Sequence, residues 1–261
     1  MGGDMEEWPP KEDIFGTGIS ITSFSETLRL LERRSSDHAI TVNVCNVHSV
    51  MSARTDAELA TALAAGEINT SDGIPLVWVI KSRGFARQSR MYGPDLAVAA
   101  FEHGLRLGWR HFFYGSTSDT LTLLTRNLAD RFPGLRIAGT YAPPFRELTG
   151  DDTDQNVDLI ASSGADIVWV GLGMPKQEKW MYEMRTRLPG KVLVGVGAAF
   201  DFLAGTKRQA PLWMQRSGLE WLFRLGTEPT RLWRRYLWNN PAFLLLWASE
   251  LAGVNRGRAQ P

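Results

Sequence analysis

The chain predicts an α/β fold, a parallel sheet with flanking helices followed by a helical C-terminal appendage, and three observations carry that expectation. From residue 110 short apolar, β-rich runs alternate with segments of helical period, which implies right-handed crossovers between parallel strands. Several of these runs end at a glycine, where a strand can turn tightly into a helix. From Gly205 onward the composition changes: nine basic residues stand against three acidic ones, and five of the ten tryptophans fall there.

Taken in order, residues 1–13 are rich in glycine, proline and acid and are expected to be loose. They leave an α/β core over 14–204 and a basic, tryptophan-rich appendage over 205–261. Ser23, with Glu26 three residues later, forms a capping-box pattern for a helix over 25–34, since each side chain can bind the other's backbone N–H. A strand is expected over 39–44, then a helix near 55–65, a loop over 69–73, an apolar helix over 74–82 and a helix over 94–107. The regular part follows: strand 111–115, helix 119–131, strand 135–140, helix 152–162, strand 166–170, helix 175–187 and strand 191–196. In such Rossmann-like sheets ligands bind beyond the carboxyl ends of the strands, so the loops at Gly115, Gly171 and Gly197 are expected along one edge.

Composition narrows the classes. With 261 residues and 44% hydrophobic content the chain can bury a full core. Its single cysteine, Cys45, excludes an intramolecular disulfide, and its first residues lack the basic and apolar regions of a signal peptide, so a cytoplasmic protein is expected. No run approaches eighteen uncharged apolar residues; the nearest, 241–248, is far too short to cross a bilayer. A net charge of +1 argues against a general nucleic-acid binder.

The segment 165–177, ADIVWVGLGMPKQ, is the most informative stretch. It reads as a strand, a loop with two glycines one residue apart, and a helix opened by Pro175. There the backbone can approach a ligand closely and helix N–H groups point outward, which suits an anionic phosphate; strand-to-helix turns with glycine also occur in α/β proteins without such a guest.

Several segments together resemble one family. Thr41-Val42-Asn43, Ser71-Asp72-Gly73, RMYGPDL from Arg90, FFYGS, GLGMPKQEKW, GVGAAFDFLAG and KRQAPLWMQRSGLEWLFRL are similar in order and spacing to the WecG/TagA/CpsF glycosyltransferases, over roughly residues 14–240. The resemblance implies transfer of a sugar from a UDP-sugar to a polyprenyl-diphosphate-linked acceptor at the cytoplasmic membrane face, in teichoic acid or surface polysaccharide synthesis. It implies inversion at the anomeric carbon with no bound metal or cofactor, and a donor such as UDP-N-acetylmannosamine.

Such a transfer needs a base for the acceptor hydroxyl and a group to meet the charge of the departing diphosphate. Asp72 is the candidate base: it precedes an apolar helix, where desolvation would raise its pKa, and the resemblance assigns that role to the Asp of the Asp-Gly pair. Asp-Gly is also ordinary turn chemistry. Thr41 and Asn43 alternate along a strand and face one side, where they are expected to orient sugar or acceptor; the family often has proline after this asparagine, whereas Val44-Cys45-Asn46 follows here. His48 is nearby and is read as structural. Arg90, ahead of Tyr92-Gly93-Pro94, suits a diphosphate. Gly115, Gly171, Gly173 and Gln177 are assigned to donor binding, and Asp201 to the ribose by analogy with other doubly wound folds. Asp152-Thr153-Asp154 has the spacing of a divalent-ion motif, but with Asp151 it falls in the first turn of an expected helix and reads as a cap.

In the tail, Arg231, Arg234 and Arg235 are grouped with Leu232, Trp233, Tyr236, Leu237 and Trp238, an interfacial composition. Together with Arg224 they are expected to hold the protein on the anionic inner face of the cell membrane or to close over the donor diphosphate. The tryptophans can equally pack on the core or on another subunit, so a homo-oligomer stays open. Two other classes compete: a nicotinamide-dependent oxidoreductase, disfavoured because GLGMPK lacks the third glycine and no acidic residue ends strand 191–196, and a non-catalytic membrane adaptor.

Overall fold

The computed structural model describes residues 8–146 and 149–253, and the side chain of Arg235 lies outside that description. A hairpin of β1 (Lys11–Ile14) and β2 (Thr17–Ser20) comes first, then α1 (Phe24–Leu30), β3 (Ile40–Cys45), α2 (Val47–Ala53), α3 (Ala57–Ala65), β4 (Ile68–Ser71), α4 (Ile74–Ser82) and α5 (Gly93–Leu107). The alternating part follows as β5 (Arg110–Gly115), α6 (Ser118–Arg131), β6 (Arg136–Tyr141), α7 (Gly150–Ser162), β7 (Ile167–Gly171), α8 (Lys176–Met184) and β8 (Val192–Gly195). Four helices end the described chain: α9 (Ala199–Leu203), α10 (Leu212–Arg216), α11 (Glu220–Thr227) and α12 (Pro229–Leu251).

Strands β3 to β8 form one parallel six-stranded sheet in the order β4-β3-β8-β7-β5-β6, as the strand–helix alternation predicts. Successive side chains of a strand point to opposite faces, and here both faces are covered. Along β7, Ile167 and Trp169 join a core with Phe101, Phe113 and Phe200, while Val168 and Val170 join a second core with Tyr114, Trp180 and Leu193. A third core gathers the hairpin, α2, α3 and α4, and Phe243 of α12 is fully buried in it.

Three segments differ from the sequence expectation. Residues 11–13, expected to be loose, join Ile14 in β1, because Phe15 and Gly16, at φ 52° and 93°, make the two-residue left-handed turn that lets the chain pair back on itself. The expected loop over 69–73 is in part the edge strand β4, whose polar side chains find partners: Asn69 Nδ2 donates to the Gly18 and Leu63 carbonyls, and its Oδ1 accepts from Asn43 Nδ2 at 2.8 Å. Helix α2 has no counterpart in the expectation; Asn46 caps it, its Oδ1 accepting from the His48 and Ser49 N–H groups. Among the described residues no helix is long and apolar enough to cross a membrane.

Candidate active site

The carboxyl ends of β3 and β4 lie side by side, with Cys45 opposite Ser71, so the next residues, Asn46 and Asp72, emerge at one sheet edge. The Asp72 N–H donates to the Cys45 carbonyl at 2.7 Å, and Gly73 then opens α4 with Pro75 in its first turn. The Met91 N–H donates to the Ser71 carbonyl at 2.8 Å, which brings the preceding residue, Arg90, to the same edge. Helices α10, α11 and α12 roof this edge and leave a cavity of about 250 Å³. Its polar wall is Asn46, His48, Asp72, Arg90, Glu220 and Arg224; Ile74, Trp78, Leu219, Trp221 and Phe243 are among its apolar lining.

Arg90 organises the polar wall. Its Nε donates to the Asp72 carbonyl at 2.6 Å and to Asp72 Oδ1 at 3.3 Å, and its Nη2 donates to the same Oδ1 at 3.1 Å. Nη2 also donates to Glu220 Oε2 at 2.5 Å, and Nη1 to the Gln215 carbonyl at 3.2 Å. The guanidinium lies over the Tyr92 ring, 4.3 Å from its centroid. Burial pushes the Asp72 carboxyl up to about 6; Arg90 opposes the shift and the Glu220 charge adds to it. On the far wall, His48 Nδ1 meets Ser52 Oγ at 3.0 Å and Asn239 Nδ2 at 2.7 Å, a contact that joins α2 to α12.

The other sequence candidates fall in different places. Thr41 and Asn43 do not line the cavity. A strand advances about 3.3 Å per residue, so Thr41 lies about 16 Å of chain before the sheet edge. There its N–H and Oγ1 both donate to Glu67 Oε2, at 2.7 and 2.9 Å, while Asn43 is bonded to Asn69; both are buried in a polar network beneath the site. Two asparagines line the cavity, Asn240 and Asn46, and sequence reasoning passed over Asn46 although it directly follows a strand and starts a capping box with Ser49. Glu220, also passed over, is brought in by α11.

Gly115 and Gly171 are paired across β5 and β7, so close that a Cβ on Gly115 would stand 2.6 Å from the Gly171 carbonyl carbon. Gly173 has φ 78°. Gln177, expected to offer its amide to a ligand, is buried: its Oε1 accepts from the Gly197 N–H at 3.0 Å and its Nε2 donates to Glu178 at 2.9 Å. Asp201 is paired with Lys207 at 2.8 Å. None of these five lines the cavity; they stand at or beyond the neighbouring strand ends.

The tail arginines divide. Arg224 lines the cavity, its Nε buried with no hydrogen-bond partner among the described residues. Arg231 is half exposed and pairs with Glu228 at 2.5 Å, and Arg234 is exposed beside Trp233, 5.2 Å from the ring centroid. Arg235 cannot be placed, since its side chain lies outside the described set. Asp152 caps α7 with Thr149 and pairs with Arg146, so it serves the helix start as its position suggested. Among the described residues no group of three His, Cys, Asp or Glu side chains is placed to hold a metal ion.

A desolvated carboxylate beside two arginines at the carboxyl edge of a parallel α/β sheet, under a helical roof, has the chemistry that group transfer requires, a proton acceptor next to cations that suit an anion. The chain belongs to the glycosyl transferase WecG/TagA/CpsF family, whose model matches residues 12–257. It is 36% identical over 175 residues to the N-acetylglucosaminyldiphosphoundecaprenol N-acetyl-beta-D-mannosaminyltransferase of Bacillus spizizenii strain W23, covering 67% of this chain and 66% of that one. To the protein of the same description from Bacillus subtilis strain 168 it is 30% identical over 220 residues, covering 84% and 82%.

Proposed function

We propose that the protein moves an N-acetylmannosamine-like sugar, with inversion, from a UDP-sugar to a polyprenyl-diphosphate-linked acceptor. The observation that carries this reading is Asp72, a carboxylate pushed up to about 6 in a cavity whose other polar side chains include two guanidinium groups. Asp72 accepts the proton of the acceptor hydroxyl, the hydroxyl oxygen bonds to the anomeric carbon, and the bond from that carbon to the UDP oxygen breaks as the electrons leave with UDP. Arg90 and Arg224 meet the charge on the departing diphosphate. The donor nucleotide is assigned to the loops of Gly115, Gly171 and Gly173 further along the sheet edge, with Gln177 bracing the Gly197 turn from below. The names of the two Bacillus relatives support the sugar and the acceptor.

Acceptor delivery requires a membrane, and the helical roof offers a surface for one. Trp213 of α10 is 64% exposed, and on α12 Trp238 is 80% and Leu245 69% exposed, with Arg231 and Arg234 on the same helix. Exposed aromatic and aliphatic side chains among cations favour the headgroup boundary, so the protein is proposed to sit peripherally on an anionic leaflet.

The test is UDP release by purified protein from UDP-N-acetylmannosamine, UDP-N-acetylglucosamine and UDP-glucose, each with a polyprenyl-diphosphate N-acetylglucosamine analogue in EDTA. Acceptor-dependent release lost in Asp72→Asn supports the reading. Release that survives this substitution, or that requires a divalent ion, refutes it.

A further inference from the structure

Helix α11 contributes a carboxylate, Glu220, that none of the expected roles uses. The residue stands in the first turn of α11, where an acidic side chain ordinarily serves the helix N-terminus, yet the helix has no side-chain cap. The carboxylate instead turns into the cavity and accepts from Arg90 Nη2 at 2.5 Å. That N–H group is the one that also reaches Asp72 Oδ1, at the longer distance of 3.1 Å. The three side chains are 13% (Glu220), 16% (Arg90) and 20% (Asp72) exposed, so their mutual interactions are weakly screened.

An aspartate that owned an arginine outright would be a poor base, since an adjacent guanidinium lowers a carboxyl pKa by about 1 to 3 units. Glu220 prevents that ownership in two ways: it draws Nη2 towards itself, and it places a like charge beside Asp72. The remaining charged and titratable groups around the pair are Arg224 of α11, Tyr92 before α5, Asp95 in α5, His48 of α2 and Tyr236 of α12. Among the described residues Arg224 acts on Asp72 in the same direction as Arg90, against the base.

We propose that Glu220 is a positioning residue for the transfer: it holds the guanidinium of Arg90 between two carboxylates and so keeps Asp72 basic. Because Gln215 and Glu220 both grip Arg90 from the C-terminal helices, the base is set only when those helices are docked. The inference rests on the reading of Asp72 as the base.

The test is the pH dependence of kcat/KM for UDP release in the wild type, Glu220→Gln and Glu220→Asp, with Asp72→Asn in parallel. Glu220→Gln keeps the side-chain shape and removes the charge, and its acid limb should move to lower pH by about one unit. Glu220→Asp keeps the charge, and its acid limb should stay with the wild type while the plateau falls. Loss of rate by one factor at every pH in both variants would mean a merely structural role and overturns the proposal. An inactive Asp72→Asn with an unmoved limb in Glu220→Gln overturns this inference alone; an active Asp72→Asn overturns the reading beneath it.

Discussion

Arg90 and Asp72 are joined through both backbone and side chain: Nε of Arg90 donates to the Asp72 carbonyl at 2.6 Å, and Nε and Nη2 converge on Oδ1 at 3.3 and 3.1 Å. The arginine therefore fixes the turn after β4 and the direction of the carboxylate at once. A planar fork is needed for that, because a lysine presents a single point charge.

Arg90→Lys should accordingly lower kcat/KM for UDP release by about 10²- to 10³-fold, the usual effect of losing one preorganised charge-stabilising donor. Steady-state kinetics beside a thermal melt checks it; a variant within threefold of wild type removes Arg90 from the mechanism.

Asp72 carries a stability cost. Its folded-state pKa of about 6 lies above the ordinary 3.8, so the native state binds the proton more tightly than the unfolded chain. The stabilisation from this proton is complete below pH 3.8 and is lost as pH rises through 6. The wild type should thus lose stability relative to Asp72→Asn between pH 4 and pH 8, measured as the difference in urea midpoints; a difference constant with pH would refute the shift.

Asn43→Leu should damage the fold and leave the chemistry. It strands the buried Oδ1 of Asn69, which accepts from Asn43 Nδ2 at 2.8 Å, and an unsatisfied buried group costs about 1–3 kcal/mol. Urea unfolding reads the loss; kcat per folded molecule should stay near wild type. Asn46→Ala, at a residue that lines the cavity with Asp72, should lower kcat.

Trp238, 80% exposed, should matter only on a membrane. Trp238→Ala should weaken flotation with anionic vesicles about tenfold, the effect of removing part of a buried aromatic side chain, with no change in melting temperature. Equal flotation would place the membrane contact elsewhere.

Much of the fold was legible because local signals agreed. The Ser23–Glu26 capping box forms as read, and each strand from residue 110 onward lies within two residues of its expected span; β5, β7 and β8 carry apolar runs buried on both faces, and β6 closes the edge of the same alternation. The hairpin around Phe15-Gly16 gives little signal because its two short strands are polar or irregular in sequence, and the strand at Ile68–Ser71 gives little because its polar side chains are satisfied by distant segments, as Asn69 is by Gly18 and Asn43.

In the site, Asp72 and Arg90 could be chosen because Ser71-Asp72-Gly73 and RMYGPDL carry the family resemblance and each of the two residues stands just ahead of a helix start. Choosing between Asn43 and Asn46 required knowing where β3 ends, and three residues of strand are about 10 Å, enough to move a side chain from the cavity wall into the polar network beneath it. By itself the sequence determined the parallel α/β sheet and the family resemblance, and it singled out Asp72 and Arg90 one by one. Only the tertiary structure decided that Glu220 and Arg224 of α11 join Asp72 and Arg90 while Arg231 and Arg234 stay outside, because the latter belong to a separate helix, α12, and the placement of one helix against another is set by docking and not by spacing in the chain.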